Sequence, residues 1–313
     1  MLITPKTNIR IAVLIPCFNE GLSIRKTVEG FRSMLPESVI YVYDNNSVDN
    51  TSEEAKIARA VVCKEVWPGK GNVVRRMFTE IEADVYLIAD GDGTYDCRMA
   101  PIMIEKLIIE NLDMVVGIRK NLYENAHRKG HGFGNRVFNG LYGFLFGRLF
   151  SDIFSGYRVF SRRFVKSFPA ISSGFEIETE MSVHCSQLRL PIAEIATDYS
   201  PRQEGSESKL RTVRDGLRIM FTILILFKEV RPALFFGLLA STLAAIAVVL
   251  SFPLFVTYFD TGLVPRLPTA ILSTGLVMLS GIFMVSGFIL DSVARGRLEQ
   301  KRMWYLINSS KQR

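Results

Sequence analysis

Two uncharged stretches near the end of the chain, Pro232 to Phe259 and Leu267 to Leu290, constrain its architecture more than any other feature. Each exceeds the roughly 20 residues that a helix needs to cross a hydrocarbon core of about 30 Å, so both are read as transmembrane helices. The segment between them, Asp260 to Arg266, is too short for a domain, and the two spans form a hairpin with both outer ends on one side. Lys228 and Arg231 precede the hairpin, Arg295, Arg297, Lys301 and Arg302 follow it, and Arg266 is the one basic residue in the turn. That asymmetry places both termini and the whole N-terminal region in the cytosol, on the inner face of the cell membrane. Gly237, Ser241 and Ala245 recur every four positions on one face of the first span, which permits close helix packing or association of a second copy.

Before the hairpin, Arg211, Arg214 and Arg218 at helical spacing oppose Val213, Leu217, Met220, Phe221 and Leu224. Residues 211–231 therefore read as an amphipathic helix, either at the bilayer surface or packed on the preceding domain. The predicted organisation is a cytosolic domain over 1–210, this juxtamembrane helix, a membrane hairpin over 232–290 and a basic cytosolic tail over 291–313. The apolar run Ile9 to Ile15 is short and ends at Pro16, which suits a buried strand and not a signal-peptide core.

The first two hundred residues alternate between strand and helix patterns. Strands are predicted at Ile9–Ile15, Val39–Tyr43, Ala60–Cys63, Val85–Ala89 and Met114–Val116. Helices are predicted at Ser23–Met34, Thr51–Arg59, Asn72–Ile81 and Pro101–Glu110. This alternation implies an α/β fold, a mostly parallel sheet with helices on both faces, whose ligands bind beyond the carboxyl ends of the strands. Polar clusters stand at those ends: Pro16-Cys17-Phe18-Asn19-Glu20, Asp44-Asn45-Asn46-Ser47 and Asp90-Gly91-Asp92.

The motifs exclude several chemistries. No GxGxxG follows the first strand and no GxxxxGK[ST] occurs, which argues against a dinucleotide enzyme and a P-loop enzyme. Cys17, Cys63, Cys97 and Cys185 have no CxxC spacing, so neither zinc nor a disulfide framework is expected. Asp90 and Asp92 are hard oxygen ligands one residue apart at a strand end, a spacing that suits Mg2+ or Mn2+ shared with a diphosphate; the alternative is a turn that caps the following helix.

Together Pro16 to Glu20, Asp44 to Thr51, Gly69-Lys70-Gly71 with Arg75, Ala89 to Asp92 and Ser155-Gly156-Tyr157-Arg158 resemble, in order, the motifs of family 2 glycosyltransferases. The similarity is to the branch of dolichyl-phosphate mannose synthase and the polyprenyl-phosphate glycosyltransferases, including bacterial members with a two-helix anchor. It implies a GT-A type, Rossmann-like domain for cell-envelope glycan biosynthesis. By that resemblance Pro16, Phe18, Glu20 and Asp44 hold the nucleotide, Lys70 and Arg75 lie near the donor, and Asp90 and Asp92 bind the metal. The chain departs from the usual Asp-Asp-Gly-Ser by carrying Asn45 and Asn46. UDP is the expected nucleotide, by analogy with bacterial relatives.

On the acceptor side, Arg119 and Arg136 are expected to hold a lipid phosphate, with Ser155 beside them, while Arg128 and Lys129 equally suit a solvated loop. A net charge of +7 fits membrane apposition and phosphate substrates. No basic face with aromatic platforms marks a nucleic-acid binder. Glu176 or Glu178 is the candidate to position the acceptor or take a proton, the alternative being favourable placement at a helix start. The segment Arg202 to Lys209 resembles the family's loop over the donor diphosphate, with Arg202 and Lys209 supplying charge. The expected reaction is inverting transfer of a sugar from a nucleotide sugar to a polyprenyl phosphate. A neutral lipid hydroxyl as acceptor and a non-catalytic nucleotide-sugar-binding adaptor stand as alternatives.

Overall fold

The computed structural model describes residues 9–120, 140, 142–145, 147, 150–202 and 212–310, and the side chains of all these except 212–219 and 310. Arg136 and Lys209 lie outside the described residues. So do Arg128, Lys129 and Arg211.

In chain order the elements are β1 (Ile11–Cys17), α1 (Ile24–Met34), β2 (Val39–Asp44), α2 (Thr51–Ile57), β3 (Val61–Lys64), α3 (Lys70–Glu80), β4 (Val85–Ile88), α4 (Met99–Ile109) and β5 (Met114–Arg119). Then come β6 (Arg158–Ser161), α5 (Arg162–Ser167), α6 (Ile177–Leu188), β7 (Ile192–Thr197), α7 (Thr212–Val230), α8 (Pro232–Thr261) and α9 (Leu267–Ser310). The chain divides into two compact units. One holds the residues up to Thr222 together with those from Lys301 onward, the other Ile223–Gln300.

The first unit is built on a seven-stranded sheet in the order β3-β2-β1-β4-β6-β5-β7. β1 pairs in parallel with β2 and β4, β2 with β3, and β5 with β7. β6 alone runs antiparallel, between β4 and β5. Every residue of β4 and β6 is buried, as expected of central strands covered on both faces. α1 shows the complementary pattern: Ile24, Thr27, Val28 and Phe31 are buried at helical spacing while its other face is wet. The topology brings the carboxyl ends of β1, β2, β4 and β5 and the start of β6 to one edge of the sheet.

The basic segment after Leu290 is helical as far as Ser310, as the continuation of α9, and its residues from Lys301 onward belong to the first unit. Tyr305 donates to Oδ2 of the fully buried Asp113 at 2.9 Å, whose other oxygen accepts from Ser161 Oγ at 2.7 Å and from Arg163. Lys301 donates to Gln187 Oε1 at 3.0 Å.

In the second unit α8 and α9 are both long and apolar enough to span a membrane. Their packing follows a seven-residue period. Beyond Pro232 at its start, the buried residues along α8 are Ala240, Ala247 and Leu254; Ser273 is buried on α9, and Ser280 Oγ donates to the Ala240 carbonyl at 2.9 Å. At Gly287 a Cβ would meet Phe236 Cβ at 3.0 Å, so the helices approach closely there. The hairpin therefore packs through Ala240 and Ala247, whereas Ser241 and Ala245 face outward.

His184 sits inside the first unit, edge-on to Phe164 and Phe168, with Nε2 3.4 Å from Ser167 Oγ. Burial lowers its pKa to about 3, with the Lys301 charge acting in the same direction. The unfolded chain protonates this residue below about pH 6.5 while the folded chain does not, so stability is lost as pH falls below 6.5. The expected contribution is up to about 1.4 kcal/mol per pH unit. Thermal melts of wild type and His184→Leu between pH 7.5 and 4.5 should show the stability gap between them closing toward acid.

Candidate active site

The nucleotide-side residues lie on three loops laced together beyond β1, β2 and β3. Asn19 N donates to Ser47 Oγ at 2.9 Å and Asn19 Oδ1 accepts from Val48 N at 2.8 Å. Glu20 N donates to Thr51 Oγ1 at 2.8 Å. Asn19 and Asn46 take positive φ, a conformation asparagine tolerates better than most residues. Pro16 is half-buried, Phe18 is exposed, and Glu20 is buried with Oε2 3.4 Å from Ser23 Oγ. Asp44 is engaged within the fold: Oδ1 accepts from Ser47 N at 2.9 Å and Oδ2 from Ser52 Oγ at 2.6 Å.

The two asparagines that depart from the family pattern have a local explanation. Asn45 Nδ2 donates to the carbonyls of Glu65 at 3.0 Å and Trp67 at 2.8 Å, and its Oδ1 accepts from Gly69 N at 2.7 Å. Asn46 Nδ2 donates to the Val66 carbonyl at 3.0 Å. An aspartate could not donate these bonds. The amides thus fasten the loop after β3, which carries Trp67, a residue absent from the expected site. A lone tryptophan in a polar loop has no periodicity to mark it.

At the centre of the edge, Lys70 is shared by two carboxylates, Asp90 Oδ1 at 2.5 Å and Glu178 Oε1 at 2.6 Å. Burial alone would lower the Lys70 pKa, but the charges of Asp90 and Glu178 outweigh it and the net shift is upward. Burial raises the Glu178 carboxyl while Lys70 opposes it. Lys70 starts α3 and Glu178 lies in the first turn of α6, and a strap between the two helices sets their spacing. Gly71 N donates to the Ser173 carbonyl at 3.0 Å, and Glu180 accepts from Ile171 N and Ser172 N at 3.0 and 2.8 Å. Arg75, expected near the donor, donates to the carbonyls of Ala170 and Ile171 at 2.6 and 2.7 Å and so holds this strap. Glu176 is buried, its Oε1 accepting from Gly174 N at 3.1 Å. Alanine at position 71 would put its Cβ 2.1 Å from the Ser172 carbonyl oxygen. Gly71→Ala is expected to destabilise the first unit by about 1–3 kcal/mol, seen as a lowered melting temperature.

Asp92 is buried. Its Oδ1 accepts from Thr94 Oγ1 at 2.7 Å, and Oδ2 lies 2.8 Å from Arg202 Nη2. Burial and the neighbouring Asp90 charge raise its pKa, against Thr94 and Arg202. Two carboxylates whose charges oppose each other in a buried setting fit a divalent cation by donor chemistry. Among the described residues no third His, Cys, Asp or Glu completes a metal cluster. An ion of the Mg2+ type needs only one or two carboxylates, with water and substrate phosphate completing its shell.

Arg119 ends β5 and makes a two-pronged ion pair with Asp152, both contacts at 2.8 Å, with its guanidinium 5.6 Å from the centroid of the Tyr199 ring. Burial would lower the Arg119 pKa, but Asp152 reverses the shift. Ser155 is fully buried and its hydroxyl donates to the Gly117 carbonyl at 2.6 Å, serving the fold and facing no solvent. Arg158, also buried, donates to the carbonyls of Ser155 and Ile153, both at 2.8 Å. At Gly156 a Cβ would come within 2.8 Å of Asp90 Oδ2 and 2.9 Å of Lys70 Nζ, so a side chain there would crowd the central ion pair.

Residues 12–168 match the family model Glycosyl transferase family 2. Glycosyltransferase AglJ of Haloferax volcanii is 34% identical over 250 residues, which cover 79% of this chain and 81% of that protein. The chain belongs to glycosyl transferase family 2. Protein RfbJ of Shigella flexneri is 53% identical to this glycosyltransferase over 110 residues, 35% of this chain and 85% of RfbJ. The fold is that of glucosyl-3-phosphoglycerate synthase from Mycobacterium tuberculosis, solved with Mn2+, UDP-glucose and phosphoglyceric acid. The TM-score is 0.58 at 20% identity, over 71% of this chain and 81% of that one. The GT-A-like sheet and the acidic strand end are therefore parts of a glycosyltransferase that draws on a nucleotide sugar.

A cation arriving at Asp92 would have to displace Arg202. Arg202→Gln is expected to bind Mn2+ several-fold more tightly than wild type without nucleotide, as read by the loss of the free-ion electron paramagnetic resonance signal.

Proposed function

We propose that this glycosyltransferase transfers a sugar from a UDP-linked donor to a polyprenyl phosphate at the cytosolic face of a membrane, with inversion at the anomeric carbon. The observation that carries the acceptor class is the engagement of the candidate bases. Glu178 holds the Lys70 ammonium at 2.6 Å and Glu176 accepts from a backbone amide. A neutral hydroxyl acceptor needs a base, whereas a phosphate monoester, with a second pKa near 6, is already an oxyanion at neutral pH.

In this reading an acceptor oxygen attacks the anomeric carbon as the bond to the leaving diphosphate breaks. A bound Mg2+ or Mn2+ would stabilise charge developing on the leaving group, with Asp90 and Asp92 as its protein ligands. Lys70 supplies fixed positive charge at the centre of the site. Arg202 pairs with Asp92 before ligand arrives and is placed to turn to the donor diphosphate. Arg119, oriented by Asp152, faces the acceptor phosphate, with Arg136 as its partner. Pro16, Phe18 and Glu20 border the donor, and Lys209 adds charge on the diphosphate side.

The membrane part of the reading rests on α8 and α9 together with the basic residues on either side of them. The exposed Phe221, Leu224 and Ile225 of α7 suit contact with a bilayer surface.

Nucleoside-diphosphate release by the full chain in detergent tests this, across UDP- and GDP-sugars with Mn2+ or Mg2+. Release is expected to require both metal and polyprenyl phosphate, and Asp92→Asn should lower it at least about a hundredfold with the melting temperature retained. Full activity in that variant removes the metal role. Release that ignores the lipid phosphate, or that needs a neutral lipid alcohol, removes the proposed acceptor.

A further inference from the structure

The loop after β3 presents Trp67 with 70% of its surface exposed. Single exposed apolar residues are ordinary, so exposure by itself means little. What distinguishes this tryptophan is how firmly its backbone is held. Its carbonyl accepts from Asn45 Nδ2 at 2.8 Å and its amide donates to Glu65 Oε1 at 2.7 Å. On either side, the Val66 carbonyl accepts from Asn46 Nδ2 and the Pro68 carbonyl from Asn72 Nδ2, at 3.0 and 3.1 Å. Glu65 N is tied to the Asp44 carbonyl at 2.9 Å. A loop fixed at so many backbone positions carries the exposed indole at a defined place on the surface.

The surroundings indicate what it is held out for. Phe18, Val48 and Val66 are exposed on the same three laced loops, making an apolar rim beyond the carboxyl ends of β1 to β3, the edge where ligands bind in such sheets. Asp44, the obvious polar candidate for binding the nucleoside, has both oxygens engaged by Ser47 and Ser52. A flat heteroaromatic ring is the ligand that such a rim fits, because every nucleobase offers a π-face to an aromatic side chain whatever its hydrogen-bonding edge.

We propose that the indole of Trp67 is the stacking platform for the base of the nucleotide-sugar donor. This rests on the nucleotide-sugar reading above and adds its base-binding residue. Stacking of this kind governs affinity more than the choice between bases, so UDP and GDP should both contact Trp67.

The chain has two tryptophans, Trp67 and Trp304, so fluorescence can isolate the first. In Trp304→Phe, UDP should quench the remaining emission saturably, and pyrophosphate, which has no base, should not. Trp67→Ala should weaken UDP binding measured by equilibrium dialysis about tenfold or more, with the melting temperature unchanged and Trp67→Phe recovering part of the affinity. UDP that binds in dialysis without quenching, or equally well to Trp67→Ala, overturns the stacking role and leaves the donor reading standing. Quenching by pyrophosphate as strong as by UDP also overturns it. Absence of any nucleotide binding to folded wild-type protein defeats both.

Discussion

The ammonium of Lys70, lodged between Asp90 and Glu178, is the contact on which the rest of the site depends. A buried carboxylate is tolerated only with a partner, and two carboxylates this close to each other demand one. One cation therefore joins the end of β4, the start of α3 and the first turn of α6. The strap at residues 170–174 keeps the two helices at the distance this bridge requires, and Gly156 leaves the space in which it forms. Removing Lys70 would leave two carboxylates facing each other without their shared counter-charge, a far larger perturbation than the loss of one hydrogen bond.

The same logic repeats around the edge. Asp92 has Arg202 and Asp152 has Arg119, so these acidic groups reach the folded state already neutralised by a residue of the chain. In the proposed function an anionic donor or acceptor would enter such a site by exchanging ion pairs with these arginines. This arrangement keeps an acidic catalytic edge stable in the absence of ligands and still attracts phosphate.

Much of the architecture was legible because hydrophobic runs ended abruptly in polar clusters. The strands β1, β2 and β4 and the ligand edge beyond them follow from that pattern. β6 was not legible, since Arg158 and Ser161 leave only Val159 and Phe160 as an apolar signal, and its antiparallel course depends on pairing with β4 and β5. The continuation of α9 to Ser310 was hidden because charge ends an apolar run without ending a helix; Asp291 and Arg295 even support it as an i,i+4 pair. The contacts between α8 and α9 recur every seven residues, at Ala240 and Ala247, a period that the four-residue spacing of Gly237, Ser241 and Ala245 does not reveal. At the candidate site the chemistry-bearing types were readable and their partners were not. Nothing in the order of residues shows that Arg75 holds backbone carbonyls, that Ser155 bonds inward, or that Asp44 caps its own turn.

The asparagines at 45 and 46 have a consequence for how the nucleotide-facing surface responds to its surroundings. An aspartate at 45, where the usual motif carries one, would add negative charge to the loop and couple it to protons and salt. Neutral amides do neither, because their hydrogen bonds have no charge to titrate and little for counterions to screen. The links that Asn45 and Asn46 make to the loop after β3 thus hold independently of pH, whereas the ion pairs of Lys70, Asp92 and Asp152 respond to the ionic conditions around them.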